Sequence, residues 1–249
     1  MQLSFLTWAE AEAAFQKSPM VIVPIGSTEQ HGPNGLIGTD ALNAEAVSIA
    51  VGRATATVVT PVISIGMAQH HLAFAGSITL RPSTMIAFVS DYVFSLARHG
   101  VRKFFFINGH GGNVAPLSAA FSEIYAAASL DPSGTVPRLR CVCHNWYDQP
   151  AVKAHDGPAF GDKNGTHATA GEVSVTQHLF PEAIKRVNME PVVPTRRRFT
   201  DAKDLRALHP DGRIGAEPSL ATPAHGKALF DAAVTDLAAA VEAFAADPM

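Results

Sequence analysis

Short apolar runs alternate along the chain with longer amphipathic or alanine-rich segments. The pattern predicts four strands, over residues 20–25, 57–65, 101–108 and 137–145. It predicts helices over residues 7–17, 39–51, 83–99, 114–130 and 227–245, and a helix or buried segment over 171–179. Strands and helices that alternate at this spacing are typical of parallel strand pairing with right-handed crossovers. The predicted fold class is therefore α/β, a three-layer sandwich with a mainly parallel central sheet.

Other stretches interrupt this pattern. Residues 148–169 and 190–226 are rich in proline and glycine, so we expect them to be loops. Pro61 lies inside the second predicted strand, which is expected to place that strand at an edge or a bulge of the sheet. No repeat or linker divides the sequence, and we expect a single domain over residues 1–249.

Composition excludes several classes of protein. Hydrophobic residues make up 47% of the 249 residues and charged residues 16%, which predicts a large core rather than disorder. The net charge of −3 and the shortness of the one basic cluster, Arg196–Arg198, argue against a nucleic-acid partner, and that cluster is expected in a solvated loop. The sequence contains no apolar run of about 18 residues, so no membrane span is expected. Cys141 and Cys143 are expected to be reduced and no signal peptide is recognisable, so we expect a cytoplasmic protein.

Polar residues follow two of the predicted strands, where parallel α/β sheets bind their ligands. Glu29 and His31 come after the first strand and, being two apart in an extended loop, can face one point. Asp40 starts the next helix, where it could also serve as an N-cap. Carboxylate and imidazole groups suit Zn²⁺, Mn²⁺ or Fe²⁺, and a bridging aspartate can hold two ions. Because Ser27 lacks the glycine pattern of a nucleophile elbow, metal-activated water is the better hypothesis.

Histidines and a glutamate further along the chain extend this set. His110 lies in a glycine-rich turn that could either ligate a metal or cradle a phosphate, and the missing P-loop lysine favours ligation. Glu172 lies among small apolar residues, so it is expected to be buried with a partner, either a cation or an arginine. His167, in a glycine-bounded loop, is a candidate for proton transfer. Of His70 and His71, one is expected to face the site while the other packs.

Five segments, in this order, resemble the creatininase family of metal-dependent amidohydrolases. They are PIGSTEQHGP at 24–33, GTD at 38–40, FAGSITL at 74–80, NGHGGN at 108–113, and the segment from His167 to Glu172. The resemblance covers nearly the whole chain and implies a creatininase-like fold. It also implies a dinuclear centre of two divalent metal ions, Zn²⁺ or Mn²⁺, with Fe²⁺ as a further candidate.

The resemblance assigns a role to each residue of this centre. Glu29 and His110 would hold one ion and His31 the other, Asp40 would bridge them, Glu172 would complete the second site as a ligand or act as an acid–base group, and His167 would handle protons. A hydroxide between two cations would then attack the substrate, with the oxyanion held by a metal or by the backbone of Gly111 and Gly112. Trp146 and His71 are expected to contact the substrate.

The sequence departs from creatinine-cleaving members at two positions. They carry a carboxylate ligand where this chain has Gly112, and a second tryptophan where it has Lys163. The expected function is therefore hydrolysis of a non-peptide C–N bond in another small molecule, a cyclic amide, lactam or formamide. Hydrolysis of a C–C or C–O bond in a cyclic ketone or sugar-like ring, and phosphoester hydrolysis, are the alternatives. The resemblance also implies a homo-oligomer, a hexamer in many members.

Overall fold

The computed structural model describes residues 1–191 and 198–249. In this part of the chain the strands are β1 (Met20–Ile25), β2 (Val58–Val59), β3 (Lys103–Asn108) and β4 (Arg140–Asn145). The α-helices are α1 (Trp8–Lys17), α2 (Thr39–Ala54), α3 (Pro82–Arg98), α4 (Val114–Ser129), α5 (Pro150–Phe160), α6 (Ala170–Leu179), α7 (Ala202–Leu208) and α8 (Pro223–Ala246). Short 3₁₀ turns lie at Leu3–Phe5, Gln69–His71, Gly111–Asn113, Trp146–Asp148, Gly161–Asn164, Pro181–Ala183 and Pro218–Leu220.

The four strands form one parallel sheet in the order β2-β1-β3-β4. Ile25 of β1 pairs with Asn108 of β3, which pairs with Asn145 of β4. Because these three residues end their strands, the loops that follow leave the sheet side by side. The predicted α/β fold class with a parallel central sheet is confirmed.

Helices cover both faces of the sheet, so β1 is buried along its whole length. Successive side chains of a strand point to opposite faces. Val21, Val23 and Ile25 accordingly pack with residues of α1, α3 and α4, while Met20 and Ile22 pack with residues of α2 and α8. The two core clusters give the molecule its three layers.

The second predicted strand is much shorter in the structure than the sequence pattern indicates. Only Val58 and Val59 pair with β1, and Ile63 adds an isolated bridge to Ile25. Pro61 lies between them and has no amide hydrogen for the ladder. The prediction that this strand lies at an edge is confirmed.

Both expected loops contain helices that the sequence pattern did not indicate. The loop prediction for residues 148–169 is wrong over α5, because Gly157 and Pro158 suggest a break that packing overrides. Val152 and Phe160 anchor this helix in the core. In the second stretch, α7 begins at the N-cap Asp201, whose side chain accepts hydrogen bonds from two backbone amides. Two arginines of the basic cluster at 196–198 lie outside the described residues.

The helices of the described residues include none that is both long and apolar enough to cross a membrane.

Candidate metal centre

Four elements converge at the carboxyl edge of the sheet. The loop after β1 carries Glu29 and His31, the loop after β3 carries His110, and the first turns of α2 and α6 carry Asp40 and Glu172. The backbones approach closely here: a Cβ placed on Gly109 would lie 2.3 Å from the carbonyl oxygen of Asp40. Asp40 is not an N-cap. Gly38 occupies that position, and the Asp40 carboxylate points to histidines.

Two asparagines hold these loops against one another. The Asn108 side chain donates a hydrogen bond to the Asn145 side chain at 2.8 Å and accepts one from the amide of His110 at 3.1 Å. The Asn113 side chain donates to the carbonyl oxygen of Gly26 at 2.9 Å and accepts from the amide of Met67 at 3.0 Å. The loop after β3 is thus fixed to its neighbours before any ligand contributes.

Glu29, Asp40 and His110 form the first group of side chains that could hold a metal ion. Nδ1 of His110 lies 3.2 Å from Oε1 of Glu29 and 3.2 Å from Oδ2 of Asp40. Ligand atoms that surround a zinc ion tetrahedrally at about 2.1 Å are about 3.4 Å from one another. The three atoms are therefore spaced as ligands of one ion would be.

His31, Asp40 and Glu172 form the second group. Nε2 of His31 lies 3.0 Å from Oδ1 of Asp40 and 3.9 Å from Oε2 of Glu172. The other oxygen of Glu172 accepts a hydrogen bond from the amide of Thr169, whose hydroxyl in turn accepts one from the amide of Glu172. This capping box at the start of α6 leaves one carboxylate oxygen directed to the centre. Asp40 belongs to both groups, one oxygen to each.

Buried carboxylate oxygens of this centre lack hydrogen-bond partners, and a cation would satisfy them. Glu29 is 0% exposed and Asp40 is 3% exposed. Oε2 of Glu29 and Oδ2 of Asp40 have no hydrogen-bond partner in the described part of the chain. Burying a carboxylate without a partner is costly. The residues present therefore fit a pair of divalent cations.

The two histidines proposed as ligands, His31 and His110, are oriented by backbone carbonyls. Nδ1 of His31 donates to the carbonyl oxygen of Glu29 at 3.1 Å, and Nε2 of His110 donates to that of Met67 at 3.0 Å. Each ring thereby directs its other nitrogen to the carboxylates, where that nitrogen can bind either a proton or a cation. This is the usual outer-shell arrangement of metal-ligating histidines.

The potential of the centre favours positive charge. Burial lowers the pKa of His31, but the nearby carboxylates outweigh it and raise this pKa to about 10. Burial likewise opposes a charge on His110, and Glu29 and Asp40 raise its pKa well above the ordinary value. Burial raises the pKa of Glu172 to about 7. Protons and cations therefore compete for the same negative potential.

His167 lies beside the proposed ligands, and its position suits either proton transfer or metal ligation. Its Nδ1 is 3.6 Å from Oε1 of Glu29, and its ring centroid is 4.7 Å from that of His31. Burial, aided by His31, lowers the pKa of His167 well below the ordinary value. His167 also forms a third possible metal group with Glu29 and His31. Its assignment as a proton-transfer residue stays a prediction.

Two residues near the centre are not among the predicted site residues. Gln30 stands between the side chains of His71 and His167, 2.9 Å from a nitrogen of each. The signal was its place in the Glu-Gln-His segment, between two proposed ligands. Tyr147 lines the cavity above the centre, and its hydroxyl lies 3.6 Å from a Cβ placed on Gly111. Burial raises the pKa of Tyr147, so the phenol stays a hydrogen-bond donor.

A cavity of about 330 Å³ opens above the centre. Trp146, 2% exposed, forms part of its wall, and Lys153 rather than Lys163 is the lysine among its lining residues. The lining consists of Asp40, Gly109, His110, Gly111, Trp146, Tyr147, Asp148, Lys153, Asp156, Asn164, Gly165, Thr166, His167, Thr169 and Glu172. Substrate contacts by Trp146 and Gly111 stay predictions that their position allows.

Two further predicted substrate contacts lie behind this wall. His71 is 1% exposed, and its Nε2 lies 3.3 Å from Oε1 of Glu29. Gly112 lies behind the His110 ring: a Cβ there would be 2.4 Å from Nε2 of His110 and from the carbonyl oxygen of Met67. A carboxylate side chain at position 112 would not fit this backbone, which leaves Glu172 as the third carboxylate of the centre.

The sequence matches the creatininase (creatinine amidohydrolase) family over residues 4–241. It is 30% identical over 237 residues to a mycofactocin precursor peptide peptidase of Mycobacterium tuberculosis, covering 88% of this chain and 83% of the relative. It is 32% identical over 193 residues to a creatinine amidohydrolase of Pseudomonas putida, covering 72% of each. A solved structure named "Creatininase Mn" superposes with a TM-score of 0.84 at 21% identity, over 97% of both chains.

These matches agree with the fold and with the clustered carboxylates and imidazoles. The family match extends over all five ligand candidates, from Glu29 to Glu172. The chain therefore belongs to the creatininase family of metal-dependent hydrolases.

Proposed function

We propose that this protein hydrolyses the C–N bond of a compact, non-peptide amide at a centre of two divalent cations. The observation that carries the proposal is the position of Asp40. One of its oxygens faces His31 at 3.0 Å and the other faces His110 at 3.2 Å. A carboxylate shared in this way supports two adjacent cations rather than one.

Two bound divalent cations, zinc or manganese, supply a Lewis acid and a water of lowered pKa. Glu29, Asp40 and His110 would hold one cation, and His31, Asp40 and Glu172 the other. Since both ligand histidines are oriented by backbone carbonyls, the ligand geometry is prepared before the substrate arrives. The chain's own residues then have to bind the amide and move one proton.

His167 is suited to move that proton. Its Nε2 donates to the carbonyl oxygen of Gln30 at 2.7 Å, so Nδ1 carries the free lone pair on the side of Glu29. A neutral imidazole in this state accepts a proton at Nδ1 and can pass it to the departing nitrogen of the amide. The carbonyl of Gln30 stabilises the ring while it is charged.

The cavity supports a small substrate. A volume of about 330 Å³ lies at the lower end of the range for small-molecule sites. The Tyr147 hydroxyl and the backbone of Gly111 line it, and both can donate hydrogen bonds to a carbonyl oxygen. Cyclic amides, lactams and formamides match this combination of size and donors.

A peptide amide is the second candidate. The 30% identity to a mycofactocin precursor peptide peptidase favours it. The rim of the cavity also supports it, because Lys153 and Asp148 there are 58% and 46% exposed and pair at 2.9 Å. A longer chain could leave the cavity past this exposed pair.

The test is a panel of substrates offered to zinc-loaded and manganese-loaded protein. Creatinine, simple lactams, N-formyl amino acids and short peptides would each be followed by mass spectrometry. Turnover of the compact amides and not the peptides is the expected result, and peptide turnover alone would favour the second candidate. No C–N cleavage with either metal would refute both.

Two matched variants show whether any turnover belongs to the centre. His110→Ala removes a proposed ligand and should abolish turnover and reduce bound metal. His99→Ala removes an exposed histidine at the end of α3 and should change neither.

A further inference from the structure

The side-chain amide of Gln30 lies buried beneath the metal centre. Its Oε1 accepts a hydrogen bond from the amide of Gly32 at 2.8 Å, which identifies the opposite end of the group as Nε2. That nitrogen lies 2.9 Å from Nδ1 of His71 and 3.0 Å from the carbonyl oxygen of Gly212. The amide therefore has two acceptors within reach of its two hydrogens.

The backbone of Gln30 determines the state of a second histidine. Its carbonyl oxygen lies 2.7 Å from Nε2 of His167, and because a carbonyl can only accept, Nε2 carries the hydrogen. The 2.9 Å approach of the Gln30 amide nitrogen to the same Nε2 is then a contact between two donors. The amide hydrogens accordingly go to His71 and to Gly212.

These bonds give the two imidazoles complementary roles toward one carboxylate. His71 accepts at Nδ1, so its hydrogen is on Nε2, which lies 3.3 Å from Oε1 of Glu29. His167 donates at Nε2, so its lone pair is on Nδ1, 3.6 Å from the same oxygen. One ring presents a donor to the ligand carboxylate and the other presents a base.

We propose that Gln30 is a positioning residue that sets the tautomers of His71 and His167, His71 through its side chain and His167 through its backbone carbonyl. His71 then serves as an outer-shell donor that orients the ligand Glu29, not as a ligand itself. The inference rests on the proposed function only where it makes His167 the proton carrier. It explains why an amide, able to accept and donate at once, lies between two proposed ligands.

Histidine ¹⁵N NMR on the zinc-loaded protein tests this directly. Wild-type His71 and His167 should both show the Nε2–H tautomer. Gln30→Glu replaces the donor by an acceptor that competes with Glu29 for the His71 hydrogen, so the Nδ1–H tautomer should become the major form. Gln30→Met leaves only the longer 3.3 Å contact with Glu29 to hold the hydrogen on Nε2, so both tautomers of His71 should be populated. His167 should keep its tautomer in both variants, because the backbone carbonyl remains. Turnover should fall about 10- to 100-fold, as for other outer-shell partners of metal ligands.

Gln177→Glu is the matched control, since Gln177 is similarly buried, at 9% against 7% exposure for Gln30. It should move neither tautomer. A wild-type His71 protonated at Nδ1, or a His71 tautomer unaltered in both Gln30 variants, would overturn the inference. If Gln30→Glu does not fold, the wild-type spectrum and Gln30→Met still decide. Because these spectra need no turnover, a failure of the substrate panel leaves them interpretable.

Discussion

Asp40→Ala is the most direct perturbation of the proposed dinuclear centre. Asp40 offers one oxygen 3.0 Å from Nε2 of His31 and the other 3.2 Å from Nδ1 of His110. The substitution removes one ligand from each of the two proposed ligand groups and leaves two residues in each. Neither remaining pair closes a site, so both cations should be lost together.

The size of the effect follows from linkage between binding and unfolding. A cation at about 100 times its Kd stabilises the folded state by about 2.7 kcal/mol, so two independent sites give about 5.4 kcal/mol. An unfolding entropy of about 2.1 cal/mol/K per residue amounts to about 0.5 kcal/mol/K for 249 residues. Saturating zinc should therefore raise the wild-type Tm by about 10 °C.

Calorimetry of chelated and zinc-loaded protein, together with metal analysis, measures this. The Tm of Asp40→Ala should be insensitive to zinc, and its metal content should fall from about two equivalents to nearly none. Asp156→Ala is the matched control: Asp156 lines the same cavity but belongs to none of the metal groups found among the described residues. A variant that keeps the full Tm shift and two equivalents of zinc would refute the bridging role of Asp40.

Four further outcomes are expected. His167→Ala should keep its zinc and lose turnover by about 10²- to 10⁴-fold; metal loss in parallel would make His167 a ligand. Gly112→Ala places a Cβ 2.4 Å from Nε2 of His110 and should displace that ring, so zinc content should drop, and a fully loaded variant would contradict the geometry. Burial raises the pKa of the Cys141 and Cys143 thiols to about 12, so iodoacetamide at pH 8.5 should label them only in urea. Labelling of the native protein would contradict this. Since the unfolded thiols ionise near their ordinary pKa, the free energy of unfolding should also decline as pH rises above about 9.

The sequence predicted the site best where candidate ligand residues follow directly after a strand. Glu29, His31 and His110 come directly after apolar runs, and parallel pairing brings the ends of those runs together. Their clustering could therefore be predicted before any coordinates. Asp40 had two interpretations because a helix start suits both a cap and a ligand, and Gly38 at the N-cap position excludes the cap.

The sequence was less informative where contacts between residues distant in sequence determine the local structure or the role of a residue. The helix α5 contains Gly157 and Pro158 and forms in spite of them, because Val152 and Phe160 pack into the core and the carboxylate of Asp236 accepts a hydrogen bond from the amide of Ala151. Gln30 carries no charge and matches no motif by itself, and its role depends on two histidines that are distant in sequence. No local pattern predicts the helix α5, and the Glu-Gln-His segment marks the position of Gln30 without indicating its contacts.

In the proposed centre, the two oxygens of Glu172 would couple cation binding to the folding of the C-terminal part of the chain. One oxygen completes the first turn of α6 through Thr169, and the other faces His31. The helix α6 packs on α8, where the amide of Thr222 donates to the Ser174 hydroxyl at 3.1 Å. By thermodynamic reciprocity, cation binding then strengthens the docking of α8, and loss of α8 weakens cation affinity. The helix α8, far in sequence from most of the proposed ligands, should in this sense be a determinant of metal retention.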